Sequence, residues 1–215
     1  MQNSRVTVVE NSPAPVRRRG RPPAFERNQV LTRAAETFWR LGYEGASIAD
    51  LTEAMGITAQ SLYAAFGSKA DLYKEALAHY RHTIGAFTAH ALTQERNAAD
   101  AFVRLLKEAA SEFCKAGRPQ GCMISTATLA CASENQPVAD HVAGLRAGAL
   151  AAFQDRIERG VAEGHFRPDT DAAALARYLG AIIQGMSVQA RDGASEEELA
   201  SLAAIASAEV NRHRT

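Results

Sequence analysis

From about residue 26 onward, apolar residues return every three or four positions, and each such stretch is closed by glycine, proline or a short polar residue. That period is helical, and alternating β-branched runs are scarce. The first stretch, Glu26 to Leu41, sets Val30, Leu31, Ala34, Ala35, Phe38 and Trp39 on one stripe and stops at Gly42. Three short helices are predicted next. Ser47 caps the second helix with Asp50 as its capping-box partner, Thr58 caps the third, and Ser68 caps the fourth with Asp71 at the third helical position. The pattern then predicts helices over 98–116, opened by Asn97 and closed by Gly117, and over 123–134. Pro137 starts a long helix whose stripe is Val138, Val142, Leu145, Ala149, Phe153, Ile157 and Val161, ended by Gly164. Another helix covers 171–190, and a capping box of Ser195 and Glu198 opens the last, which runs to Asn211. The fold class is all-α.

Residues 47–69 carry the clearest chemistry. Two short helical patterns meet at Gly56, the layout of a helix-turn-helix whose second helix enters the DNA major groove. Such a helix needs a bare N-terminal end, so that backbone N–H groups and short polar side chains reach phosphates and base edges. The turn Thr58-Ala59-Gln60-Ser61 has no acid, whereas the helices at Ser47 and Ser68 carry one at the matching place. Gln60 suits a two-pronged pairing with adenine, and Tyr63 offers a hydroxyl to a phosphate. Leu62 and Phe66 are expected to face inward. An ordinary helical hairpin has the same spacing and stays open as an alternative.

Charge agrees only when read locally. The net charge is +0, but residues 16–40 hold seven Arg against two Glu. Residues 1–24, with Pro13, Pro15, Pro22 and Pro23, read as a disordered basic arm. Within it RRRGRPP resembles an AT-hook core, which implies Arg17, Arg18, Arg19 and Arg21 in a narrow A/T minor groove. No apolar run is long enough to span a bilayer, and MQNSRVTVVENSPAP has no apolar signal core, so a cytoplasmic protein without membrane contact is expected. Three cysteines do not make a disulfide framework. His79 and His82 stand at i, i+3 but lack a third ligand nearby, and no catalytic motif is found; neither metal, cofactor nor enzymatic activity is expected.

The segment GYEGASIADLTEAMGITAQSLYAAFGSKADLY, from Gly42 to Tyr73, closely resembles the N-terminal domain of TetR-family regulators. The resemblance implies a three-helix helix-turn-helix DNA-binding domain at 25–70 and a larger helical ligand-binding and dimerisation domain at 71–215. It puts Ser47 and Tyr63 on phosphates, Gln60 and Ser61 at base-reading positions behind Thr58 and Ala59, and Lys69 on the DNA backbone. Ala46 and Thr52 depart from the commoner Thr and Ala, and Ala59, Ala64 and Ala65 replace larger groups, which moves specificity toward Gln60, thymine methyl contacts and DNA shape. It further implies a palindromic double-stranded operator, a homodimer and release by a small-molecule effector. Candidate pocket residues are Tyr80, Phe87, Phe113, Cys122, Met123, Phe153 and Met186. The last two helices are the expected dimer face, with Ala176, Gly180, Ala181 and Gly185 beside Leu179, Ile182 and Ile183, and with Leu199, Leu202, Ile205 and Val210. Two alternatives stay open. One is an architectural A/T-rich DNA-binding protein without effector. The other is a thiol-based sensor using Cys122 at a predicted helix start, where the dipole would lower its pKa.

Overall fold

Leu31, Ala34, Ala35, Phe38 and Trp39 are all buried, and their helical spacing defines the face by which α1 (Ala24–Gly45) packs. The computed structural model describes residues 24–215, so the predicted arm with Arg17, Arg18, Arg19 and Arg21 lies outside the described residues. The expected stop at Gly42 is a kink, φ 76° and ψ 171°, after which a last helical turn reaches Gly45. Then follow α2 (Ile48–Met55), α3 (Ala59–Phe66), α4 (Lys69–His82), α5 (Ala86–Gln94), α6 (Ala98–Cys114), a short 3-10 turn (Ser133–Asn135), α7 (Gln136–Ala162), α8 (Ala172–Arg191) and α9 (Glu196–Arg212). Among the described residues there is no strand beyond an isolated bridge between Phe166 and Arg214.

Two hydrophobic cores result. The first joins α1 to α4 through Phe38, Leu51, Leu62, Leu72 and Tyr73, and takes in Met123, Val138 and Val142 from further along the chain. The second joins α5 to α9 around Phe102, Leu106, Phe153, Ile157, Leu179 and Val210. Packing of the first core thus continues past residue 70 to Tyr80 on α4.

Two expectations are corrected. Helix α5 lies outside those the pattern picked out. Gly85 precedes it without a side-chain cap, and its C-terminal carbonyls are held from outside by Arg156. The buried Arg156 guanidinium donates from Nε to Leu92 O (3.2 Å) and from Nη2 to Glu95 O (3.2 Å) and Arg96 O (3.0 Å), so a distant side chain satisfies carbonyls that a helix end leaves free. Conversely, the helix predicted over 123–134 does not form. Residues 121–132 are turns, held by tertiary bonds: Cys122 N to Ser187 Oγ (2.7 Å), and Arg146 Nη1 to Ile124 O (3.2 Å) and Ala127 O (2.9 Å). Gly121 sits at φ 77° against α8, where a Cβ would lie 2.5 Å from Ser187 O. Cys122 therefore starts no helix, and the dipole argument for its reactivity falls.

Candidate nucleic-acid interface

The turn between α2 and α3 is built by Gly56, which takes the left-handed conformation (φ 67°, ψ 33°) and donates its N–H to Glu53 O, while Ile57 N reaches Thr52 O. This closes α2 with a glycine that a side chain would strain. Arg33 Nη1 donates to Ala54 O (3.3 Å) and ties that end to α1. Thr58 opens α3: its Oγ1 accepts from Ser61 N (3.1 Å) and donates to Ser61 Oγ (3.0 Å). Leu62 and Phe66 are buried as expected, and Arg27, bonded to Glu75 at 2.5 Å, lies 4.6 Å over the Phe66 ring. Helix α3 is thereby fixed on one side by apolar burial and at its far end by a cation over an aromatic face.

The other side of α3 is open. Thr58, Ala59, Gln60, Ser61, Ala64 and Ala65 are exposed, and Tyr63 is 49% exposed. The first turn has no acid, while α2 and α4 carry Asp50 and Asp71 in theirs. Both acids are engaged locally. The Ser47 hydroxyl donates to Asp50 Oδ2 at 2.6 Å and the Ser68 hydroxyl to Asp71 Oδ2 at 2.6 Å. These bonds hold both carboxyls below the usual range, in each case led by the serine hydroxyl. The positive end of α3 is left uncompensated, as an anion-binding helix terminus requires.

Two expected phosphate contacts have other partners here. Ser47 has its proton committed to Asp50, and Lys69 Nζ lies 4.7 Å over the Tyr43 ring. Partial burial lowers the Lys69 pKa, against the raising influence of Glu44 and Asp50. Each would have to turn outward to meet DNA.

The interface is wired to the rest of the molecule. Trp39 of α1 meets Tyr80 of α4 edge-on at 5.1 Å, and Arg191 of α8 donates to Trp39 O (3.2 Å). Glu44 accepts from Ala132 N (2.8 Å) and Asn135 Nδ2 (2.7 Å), bonds that lower its pKa. Tyr80 also lines a half-open cavity of about 450 Å³ between α4, α5 and α7. Of the expected pocket residues, Tyr80 and Phe153 meet there. Phe113 and Met186 are buried in the second core, Met123 in the first, and Phe87 borders a separate shallow groove. Cys122 is half-buried between the two cores, with Tyr80 hydrogen-bonded to its side chain. Arg81, Leu92, Leu145 and Arg159 line the cavity although the pattern did not single them out for it. His79 Nε2 lies 2.9 Å from Thr32 Oγ1.

On α8 and α9, Leu179, Gly180, Leu199 and Val210 face inward, whereas Ala181, Val188 and Ile205 are exposed, Ile205 at 68%. The outer side of this helix pair is thus a small-residue and apolar surface.

Residues 30–76 match the family described as bacterial regulatory proteins, tetR family, and residues 99–205 match a tetracyclin repressor-like C-terminal domain. The chain is 33% identical over 186 residues to the HTH-type transcriptional repressor ComR of Escherichia coli (strain K12), covering 86% of this chain and 89% of ComR. It is 32% identical over 187 residues to the repressor BdcR of the same organism, covering 87% of this chain and 90% of BdcR. Among solved structures, a cysteine mutant of the TetR-family regulator CifR, complexed with 26-bp double-strand operator DNA, superposes with a TM-score of 0.83 at 40% identity, over 87% of this chain and 98% of that one.

Proposed function

The chain belongs to the TetR family of bacterial regulatory proteins, and from that premise we propose a homodimeric transcriptional repressor that a small ligand releases from a palindromic operator. It is a DNA-binding regulator. The observation that carries the reading is α3: exposed along one side, free of acid in its first turn, and anchored by Leu62 and Phe66. Thr58, Ala59, Gln60, Ser61 and Tyr63 are the residues assigned to DNA, with Ser47 and Lys69 joining on rotation and the arginines of residues 17–21 following the minor groove. The apolar outer side of α8 and α9 is assigned to the dimer. Two reading heads must sit about 34–36 Å apart, or a multiple of that, to dock together. A ligand beside Tyr80 acts on α4, the helix that carries the first core, and changes that spacing. It does so only by binding the two states unequally.

Selection of genomic DNA by the purified full chain, followed by footprinting, tests this. A two-fold symmetric footprint is expected, and Gln60→Ala should weaken binding by the ~1–3 kcal/mol of one base-reading contact. Deleting residues 1–21 should flatten the salt dependence. Coating of A/T-rich DNA without a defined site would replace the operator reading with the architectural one. The contact between Cys122 and cavity-lining Tyr80 keeps a thiol response in view; alkylation of Cys122 with DNA binding intact disposes of it.

A further inference from the structure

The cavity has a chemical signature of its own. Its floor is apolar: Leu92, Ile124, Leu145 and Phe153. Phe153 is pinned edge-on to Phe102 at 5.7 Å, so this floor is rigid. Gly148, Ala149 and Ala152 on α7 keep the opening clear of side chains, and at Gly148 a Cβ would meet nothing within 4 Å. A volume of about 450 Å³ is within the range that holds a small organic molecule.

The charged lining is one-sided. Three guanidinium groups, Arg81, Arg156 and Arg159, stand against the single carboxylate of Asp155. Arg81 and Arg159 are exposed, so their forks are available to a bound molecule. Arg156 is buried and committed to the carbonyls of Leu92, Glu95 and Arg96, which fixes its charge behind the wall. Glu163 lies outside the lining, 3.6 Å from Arg156 and 3.9 Å from Arg159, too far to occupy the Arg159 donors by a hydrogen bond. Positive charge over a low-dielectric floor concentrates the field in the opening.

We propose that the ligand of this cavity is a small amphipathic anion: an apolar body rests on Leu145 and Phe153, and a carboxylate, sulfonate or related oxyanion is held between Arg81 and Arg159. This rests on the effector reading above and specifies its chemistry. Guanidinium forks match planar oxyanions in two-pronged fashion, which a neutral ligand of the same shape cannot exploit.

Two probes sharing one ring system separate charge from apolar fit: anilinonaphthalene sulfonate and the neutral phenylnaphthylamine. Each is titrated by fluorescence into the full chain, the Arg81→Gln/Arg159→Gln double variant and Leu145→Trp. The double variant should lose roughly tenfold or more in affinity for the sulfonate while the neutral probe changes less than about twofold. Leu145→Trp, which fills the floor, should abolish both. The proposal is overturned if both probes weaken alike, if neither changes, if neither binds, or if binding survives Leu145→Trp. Release of operator DNA by the sulfonate is measured separately. Charge-dependent binding without release would refute the effector reading and leave the chemistry of the cavity standing.

Discussion

Placing a carboxylate on the first turn of α3 should move stability and DNA binding in opposite directions. Ala59 is exposed at the first position of α3, a turn without an acid. In Ala59→Glu the new charge meets the positive helix end, a gain of about 0.3–1 kcal/mol that raises Tm by roughly 1–3 °C in a chain of this size. Against DNA the same charge faces phosphate. At ~6 Å the repulsion is about 0.7 kcal/mol in a fully aqueous dielectric and about 2.8 kcal/mol at an effective dielectric of 20. Two copies on one operator double this, so affinity should fall at least about tenfold and by several orders of magnitude at the upper limit. Ala59→Gln has the length without the charge and should keep most of the affinity. Thermal melts and fluorescence anisotropy on the selected operator, at two salt concentrations, give both readouts. The deficit of the Glu variant should shrink as salt rises, because the repulsion is screened. Unchanged affinity in Ala59→Glu, or a loss equal to that of Ala59→Gln, would place the first turn of α3 away from DNA and refute the reasoning.

Three further outcomes are expected. Gly121→Ala, with its Cβ 2.5 Å from Ser187 O at φ 77°, should cost about 2 kcal/mol or more in urea melts, whereas Gly144→Ala, in open space on α7, should gain about 0.5–1 kcal/mol. The His79 pKa is lowered, first by burial and then by His82. The unfolded state therefore takes up the proton first, and this contribution to stability is present above about pH 6.5 and is lost on acidification toward the folded value; Tm measured against pH should fall more steeply below that point in the wild type than in His79→Gln. Ile205→Arg on the exposed side of α9 should give monomers in sedimentation and weaken operator binding, with the melt of each chain little changed.

What was legible in the sequence is what local chemistry decides. The capping boxes at Ser47 and Ser195, and the caps at Thr58, Ser68 and Asn97, form where the pattern put them, because each is completed within three residues of the cap. The segment 123–134 was misread because its conformation is set from elsewhere, by Ser187 and Arg146, against a run of Ile124, Ser125, Thr126 and Thr128 whose own helix preference is weak. Helix α5 was missed for the converse reason: it has no cap of its own and is finished by Arg156, some sixty residues away. The cavity was half legible. Large apolar side chains mark both cores and cavities, so Phe113 and Met186 could not be told from Phe153 by type alone. Arg81 and Arg159 have ordinary surface spacing, and only the meeting of α4, α5 and α7 brings them together.

The outward surface of α3 is nearly smooth: Ala59, Ala64 and Ala65 end at a methyl, Ser61 already accepts a bond from Thr58, and Gln60 is the long amide among them. Such a surface spells few letters. Fidelity then resides in repetition, in two identical short words at a fixed stride. Inserting one base pair between those words would rotate one against the other by about 35° and should harm recognition more than altering any single letter within them.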